Sequence, residues 1–484
     1  MVTSSDRRTL RLSRDGLLRA DASTRAVSSR HISAFLDDVE QAQLELHGLM
    51  IWRDGAIVAE GFHWPYRVDR QRILHSVTKS FVACAIGLLI ADDRLAFEDK
   101  VCTFFPEIDV SGEPRLEKLT VEDLLTMRTG HGAEVSGSLW RGITTSWIAE
   151  FFKIPLEHEP GTVHVYSSAA SYMLSAIVTR VTGKTIHAYL KPRLFEPLGI
   201  EDERWDIGPD GFNPGGNGIT ALLGDVLKLG ILHVQGGLWN GKPVLPAWWV
   251  EQATRPQGAR HYGYHWVIGD EYFAALGVFV QALFVYPTDR AVIAVMGAME
   301  ESKVLLPHLK KHFPAAFRDA PTPEEDVALE DRLAAWSTPL PISSPETPDP
   351  AIPTSSSWLI DPNPVGVESI RLENTGRSIG LRLVGAGISG DLVMPVAGWT
   401  EVTATLPGAG LHHGYALVDA PIVAGAHWLG PNRLQMVWHF AESAFRDTVE
   451  LRIEGDRIAF DRRVNINSGK RSWPTLTGRR QNGS

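Results

Sequence analysis

The chain is 484 residues long, with 44% hydrophobic and 21% charged residues, a balance that excludes wholesale disorder and supplies apolar material for two or three domains. Acidic residues outnumber basic ones, 57 to 47, and the formal net charge of −10 excludes a basic nucleic-acid footprint or a polybasic membrane anchor. Two cysteines, Cys84 and Cys102, exclude a disulfide framework and a Cys-rich metal cage.

Residues 1–28 read as a polar, Arg-rich tail without the apolar core of a secretory signal. Ser29 to Leu46 places Ile32, Phe35, Leu36 and Val39 on one face at helical spacing. Two strand-like runs follow, Gly48 to Arg53 and Ala56 to Gly61, joined at Asp54-Gly55, a strong hairpin signal. From Ser76 to Gln257 the pattern is mostly helical. The longest apolar run, about Phe81 to Ala91, is too short for a bilayer, so a cytoplasmic protein without membrane contact is expected. Strand patterns return at Tyr262–Ile268, Gln281–Tyr286 and Ala291–Met296, and helices are predicted near Ser302–His312 and Glu324–Trp336. This order predicts an α/β (α+β) fold, an antiparallel sheet flanked by helices with an inserted helical subdomain, over 29–337. A Pro/Ser-rich linker is expected at 338–357. A small all-β domain follows at 358–476, with a tail at 477–484.

The chemistry concentrates at Ser76-Val77-Thr78-Lys79, which opens a helix that is apolar almost all round. Residues at i and i+3 share a face, so Ser76 and Lys79 point the same way. Desolvation lowers a lysine's pKa towards a value at which it serves as a base, and a serine hydroxyl needs such a base to become a nucleophile. On these residues alone an N-cap serine and a snorkelling lysine are an equal alternative.

The stretch resembles the Ser-x-x-Lys region of the serine β-lactamase-like superfamily, which includes class C β-lactamases, DD-peptidases, related esterases and 6-aminohexanoate-oligomer hydrolases. Further segments resemble the same family in the same order: Leu124-Leu125-Thr126-Met127-Arg128-Thr129-Gly130-His131, Pro160 to Ser168, Leu194 to Ile200, and Tyr262-Gly263-Tyr264-His265-Trp266. The resemblance implies Ser76 as nucleophile, Lys79 and Tyr166 as proton carriers, and the backbone N–H groups of Ser76 and Val278 as oxyanion donors. Ser168 stands where the family's Tyr-x-Asn motif has Asn, which looks more like the esterase and amide-oligomer hydrolase branches. At the third motif, Ala275-Leu276-Gly277, the glycine is kept and the cation is lost; Val280 replaces a further glycine and is expected to crowd the strand. Trp140, Ser168, Gly277 and Phe279 are expected to line the pocket, and Pro214 to Gly218 to form a loop beside it. The C-terminal domain resembles small lipocalin-like barrels.

The resemblance thus implies a serine hydrolase acting on a small ester or amide through an acyl-enzyme, by hydrolysis or acyl transfer, with no cofactor and no metal. A D-amino-acid amidase, DD-peptidase or weak β-lactamase is the alternative, and a non-catalytic binding module on the same fold is another. Self-association to a homo-oligomer is left open. Thr182-Gly183-Lys184-Thr185 mimics a phosphate loop but Val178 stands where that loop needs Gly. His308 and His312 read as a solvated helix face, and His412-His413 as a surface turn.

Overall fold

The computed structural model describes residues 11–12, 15–258, 261–342, 346–350, 352–385 and 387–481. They form two compact units, one of Met1–His63 with Gln71–Trp336, the other of Trp64–Arg70 with Ser337–Ser484. The loop 64–70 is thus counted with the second unit, although it lies inside the span 29–337.

The first unit is built on an eight-stranded sheet. Its strand order is Arg11–Leu12, Leu18–Arg19, Ala56–Phe62, Leu46–Arg53, Ala291–Gly297, Gln281–Tyr286, Phe273–Gly277 and Val267–Ile268. All pairings are antiparallel except that of Arg19 with Ile57. Asp54 and Gly55 take φ +41° and +95°, so the predicted turn supplies the two positive φ values that a tight hairpin requires. Both faces of the sheet are covered. In Gln281–Tyr286, Leu283 and Val285 enter one apolar layer, while Ala282, Phe284 and Tyr286 enter the other. A strand buried on both faces reads as an unbroken apolar run, which is how this segment stands in the sequence.

The helix Ser29–Gln41 buries Ile32, Phe35, Leu36 and Val39, the four residues its periodicity selects, in the second layer. Its Asp38 carboxylate accepts from His312 Nε2 at 2.8 Å. His312 is therefore buried on an ion-pair partner, a correction to the solvated face expected from its helix alone. In the first layer, the helix Thr78–Ala91 is buried along nearly its whole length. Helix Leu223–Val234 packs against the central strands there, and its Gly230 lies so close that an added Cβ would stand 2.5 Å from Val292 Cγ1 and 2.8 Å from Leu283 Cδ1.

Several expectations need correction. Residues 15–28 are not a free polar tail: Leu17, Ala22 and Val27 are buried, and Arg19 donates to the Asp15 and Glu60 carboxylates. Isolated apolar residues in a polar segment carry no periodicity, so their burial is invisible locally. The expected strand Tyr262–Ile268 is reduced to Val267–Ile268, because His265 turns the chain at φ +59°. Thr182 to Thr185 ends one helix at a left-handed Gly183 and begins the next, where Thr185 Oγ accepts from Ala188 N.

The second unit is a ten-stranded antiparallel sheet in which successive strands pair in chain order, except that Ile388–Pro395 and Thr400–Ala404 are unpaired with each other and form its two edges. Its last strand, Leu476–Arg480, returns to its first, Ser355–Ile360, giving a barrel-like, nearly closed meander. These end strands extend into the expected linker and tail. The Pro/Ser-rich segment is also tied down, with Trp399 Nε1 donating to the Leu340 carbonyl and Asp349 N to that of Pro431. His412 is buried beside Asp447 at 3.0 Å, correcting its expected surface placement. Asp447 also accepts from Arg462; burial would raise its pKa, but these two partners hold it below the usual carboxylate range. Among the described residues no helix is long and apolar enough to cross a membrane, and no group of His, Cys, Asp and Glu is arranged to hold a metal ion.

The close packing at Gly230 generates a stability prediction. Gly230→Ala should destabilise the first unit by about 1–3 kcal/mol through overpacking, against the roughly 1 kcal/mol that alanine's helix propensity contributes. Urea unfolding followed by tryptophan fluorescence measures the balance; an unchanged or raised midpoint would show that Val292 and Leu283 yield freely.

Candidate active site

Ser76 sits in the short 3-10 turn His75–Val77 that leads into the helix Thr78–Ala91. His75 takes φ +50°, a conformation uncommon for residues other than glycine, and the chain turns sharply there. Ser76 is half-buried between two fully buried neighbours. One helical turn on, Lys79 is 2% exposed. Its Nζ lies 3.0 Å from Ser76 Oγ, 3.1 Å from Ser168 Oγ and 2.7 Å from the Gly216 carbonyl oxygen. The carbonyl and the Ser168 hydroxyl can each take one N–H. The third tetrahedral direction, whether N–H or lone pair, then faces Ser76.

Burial is the main cause that brings Lys79 down from the ordinary lysine value to about 7, with the Glu134 carboxylate acting in the opposite sense. The neutral amine is therefore accessible near neutral pH. Tyr166 lies beside the pair, with Nζ 4.7 Å from its ring centroid and its phenol hydrogen-bonded to Ser76. Burial pushes that phenol well above the usual tyrosine value, and the Ser76 hydrogen bond offsets part of the rise. Below the pair, His265 is drawn down to about 3 by burial and then by the charge of Lys79. Its Nδ1 faces the Leu125 carbonyl and its Nε2 the Ser171 hydroxyl, the pattern of a neutral ring.

Local sequence explains how Ser168 and Gly216 arrive. Ser167 caps the helix Ser168–Thr182, its Oγ accepting from Ala170 N at 3.1 Å, which places Ser168 in the first turn. The 214–218 loop passes so near that a Cβ on Gly216 would stand 2.7 Å from Ser168 Cβ, so only glycine brings its carbonyl to Lys79. Asn217 Oδ1 accepts from Arg141, which also pairs with Asp206. On the other side, Val135 is bridged to Ser167, with Ser168 N donating to the Val135 carbonyl. That pairing brings the exposed Glu134 near enough for its charge to act on Tyr166 and Lys79.

The third element flanks the serine through its backbone. Gly277 ends its strand against the Leu74 carbonyl, where an added Cβ would stand 2.6 Å away. The chain then turns through Val278, Phe279 and Val280 before Gln281, which pairs with Gly277. Phe279 and Val280 take φ +62° and +63°, and the Phe279 ring meets His75 edge-on at 5.5 Å. Val280 is buried in the opposite apolar layer, so the crowding expected from it does not arise at the serine. Ala275 is buried among apolar residues and brings no cation.

Of the residues singled out from sequence, Ser76, Lys79, Tyr166 and Ser168 come together, and Gly277, Val278 and Phe279 lie on the element that abuts the Leu74–Ser76 segment. Trp140 instead joins the apolar core, its ring 6.2 Å from that of Trp147. The Gly216 carbonyl and Glu134 were not identified as site groups individually; the Pro214–Gly218 loop was the one signal for the first.

The chain belongs to the beta-lactamase family, whose model matches residues 36–303. It is 28% identical over 163 residues to an N-acetylmuramyl-L-alanine amidase of Bacillus subtilis, covering 31% of this chain and 37% of that one. It is 26% identical over 171 residues to a provisionally named D-alanyl-D-alanine carboxypeptidase of Escherichia coli, covering 33% of this chain and 39% of that one. The chain thus spans well under half the length of the curated relatives it matches. A structure provisionally titled as a 6-aminohexanoate-dimer hydrolase from Bacillus anthracis superposes with a TM-score of 0.51 at 19% identity, over 64% of this chain and 84% of that one, and shares the fold.

The electrostatics of the site can be read without a substrate. NMR of lysine labelled at Cε should show one resonance titrating near pH 7, absent from Lys79→Ala. Because Glu134 raises the Lys79 pKa, Glu134→Gln should move that titration to lower pH. A shift to higher pH would contradict the placement of Glu134.

Proposed function

We propose that the protein is a serine hydrolase that cleaves a carboxylic ester or amide through an acyl-enzyme on Ser76. The observation that carries this reading is the buried Lys79 amine 3.0 Å from the Ser76 hydroxyl, with its other two directions held by Ser168 and Gly216. Lys79 in its neutral form takes the Ser76 proton as Oγ forms its bond to the carbonyl carbon. The carbonyl oxygen becomes an oxyanion received by the backbone N–H groups of Ser76 and Val278. Collapse of the tetrahedral intermediate breaks the bond to the leaving group, which takes the proton from Lys79 by way of the Tyr166 phenol. Water, or an alcohol or amine acceptor in acyl transfer, then gives its proton to the same pair as it attacks the acyl carbon, and the pair returns that proton to Ser76 Oγ as the acyl–Oγ bond breaks. Every proton in this cycle is carried by these side chains.

The substrate end facing the third element is neutral in this reading. Ala275 offers no cation to a carboxylate, and the Glu134 charge, which acts on Lys79 and Tyr166, disfavours an anion at the site. Ser168, Gly277 and Phe279 form part of the pocket wall. A second reading, an amidase or DD-peptidase acting on peptide-like amides, is favoured by the names of the relatives in Bacillus subtilis and Escherichia coli.

Intact-protein mass after treatment with a fluorophosphonate, and separately with a p-nitrophenyl ester, tests the nucleophile. One adduct is expected on the wild type and none on Ser76→Ala; a folded wild type without an adduct would favour the binding-module alternative. Lys79→Ala should fold and lose turnover. Tyr166→Phe should lower the rate by about 10²–10⁴-fold, and near wild-type turnover would remove Tyr166 from the scheme. The wild-type rate should fall on the acid side of about pH 7, as Lys79 becomes protonated.

A further inference from the structure

Four residues before Ser76, Arg72 carries a guanidinium that the acyl-enzyme scheme does not use, and it is 2% exposed. Its Nε donates to Gln281 Oε1 at 2.9 Å, and its Nη2 to the Gly297 carbonyl at 2.7 Å. The same Nη2 lies 2.9 Å from His47 Nδ1. A guanidinium has only donors, so His47 Nδ1 is the acceptor and the ring proton sits on Nε2, which faces Glu45 Oε1 at 3.0 Å. Gln281 is oriented in turn: with Oε1 held by Arg72, its Nε2 points to the Phe279 carbonyl at 3.2 Å and the Gly297 carbonyl at 3.1 Å.

What this network holds is the turn Val278–Val280. Two consecutive non-glycine residues with positive φ, one of them β-branched, are a strained way to join two strands. The turn persists because its surroundings over-determine it. The Phe279 carbonyl also accepts from Met299 N, and the Gly277 carbonyl from Ser302 Oγ at 2.9 Å. Arg72 is the member of this set that continues directly into Ile73, Leu74 and Ser76, and Gly277 abuts the Leu74 carbonyl. A buried guanidinium is a costly way to fill space that an aliphatic side chain could occupy, so its value lies in what it holds.

We propose that Arg72 is a positioning residue for the oxyanion site: acting through Gln281, it holds the 278–280 turn in register with the Leu74–Ser76 segment, so that the N–H groups of Val278 and Ser76 converge on one point. The proposal rests on the acyl-enzyme reading for its chemistry and on the hydrogen-bond network for its geometry. Gln281 belongs to the same relay, so losing either partner loosens the same turn.

The test uses the full-length protein with Arg72→Lys, Gln281→Met and the double variant, and reads two quantities. On a p-nitrophenyl ester, each single variant should lose about 10²-fold in kcat, the size of one misplaced oxyanion donor, with KM little changed. The double variant should lose no more than the worse single, because both act through one relay. In hydrogen exchange, peptides covering 276–282 should exchange faster, while those covering Thr78–Ala91 and Ser168–Thr182 match the wild type. Retained kcat in either variant, or unchanged exchange over 276–282, overturns the proposal; should Arg72→Lys fail to fold, Gln281→Met decides it alone. A wild type that neither turns over esters nor forms a Ser76 adduct overturns the acyl-enzyme reading instead, and exchange over 276–282 still decides the positioning.

Discussion

The burial of one ammonium group governs the site. Lys79 is the one charged residue of a buried helix, and the fold meets that desolvation with two hydroxyls and one carbonyl, from three separate segments of the chain. Each acceptor imposes its own local requirement. Ser168 must begin a helix, which Ser167 caps; Gly216 must lack a Cβ; and Ser76 must turn out of a strained 3-10 segment. The same desolvation that makes the arrangement costly brings the amine to about 7, where it can exchange a proton near neutrality.

The sheet supplies the other half of the site. Because its central strands are buried on both faces, their register is fixed by which residues enter which layer. That register delivers Gly277 to the Leu74 carbonyl, and the buried Arg72–Gln281 relay lies at the point where the sheet meets the segment leading to Ser76. Three of the non-glycine residues with positive φ, His75, Phe279 and Val280, lie at that junction. Such strain survives only where packing and hydrogen bonds leave the backbone no alternative.

The barrel-like unit solves a similar problem differently. Asp447, Arg462 and His412 form a buried polar group, with Arg462 4.6 Å from the Trp473 ring centroid. Its strands alternate buried and exposed residues in the ordinary period of two, as in Val367–Asn374 and Arg446–Glu454. Asp447 and Arg462, on neighbouring strands, occupy buried positions of that alternation.

Local pattern determined a good deal. The helix at 29–41, the Asp54-Gly55 hairpin, the doubly buried strands and the Ser76–Lys79 face follow from periodicities of 3.6 and 2 and from turn chemistry, which act within a few residues. The motif segments allowed Tyr166 and Ser168 to be named with them. Only tertiary structure decided the rest. The Gly216 carbonyl, the Glu134 charge, the Arg72–Gln281 relay and the burial of His312 and His412 depend on partners 32 to 274 residues distant in the chain. Trp140, expected from the sequence at the pocket, lies in the core for the same reason, since an aromatic side chain's surroundings are set by what packs on it. A backbone carbonyl carries no mark in a sequence, and a buried charge is recognisable only once its partner has been brought beside it.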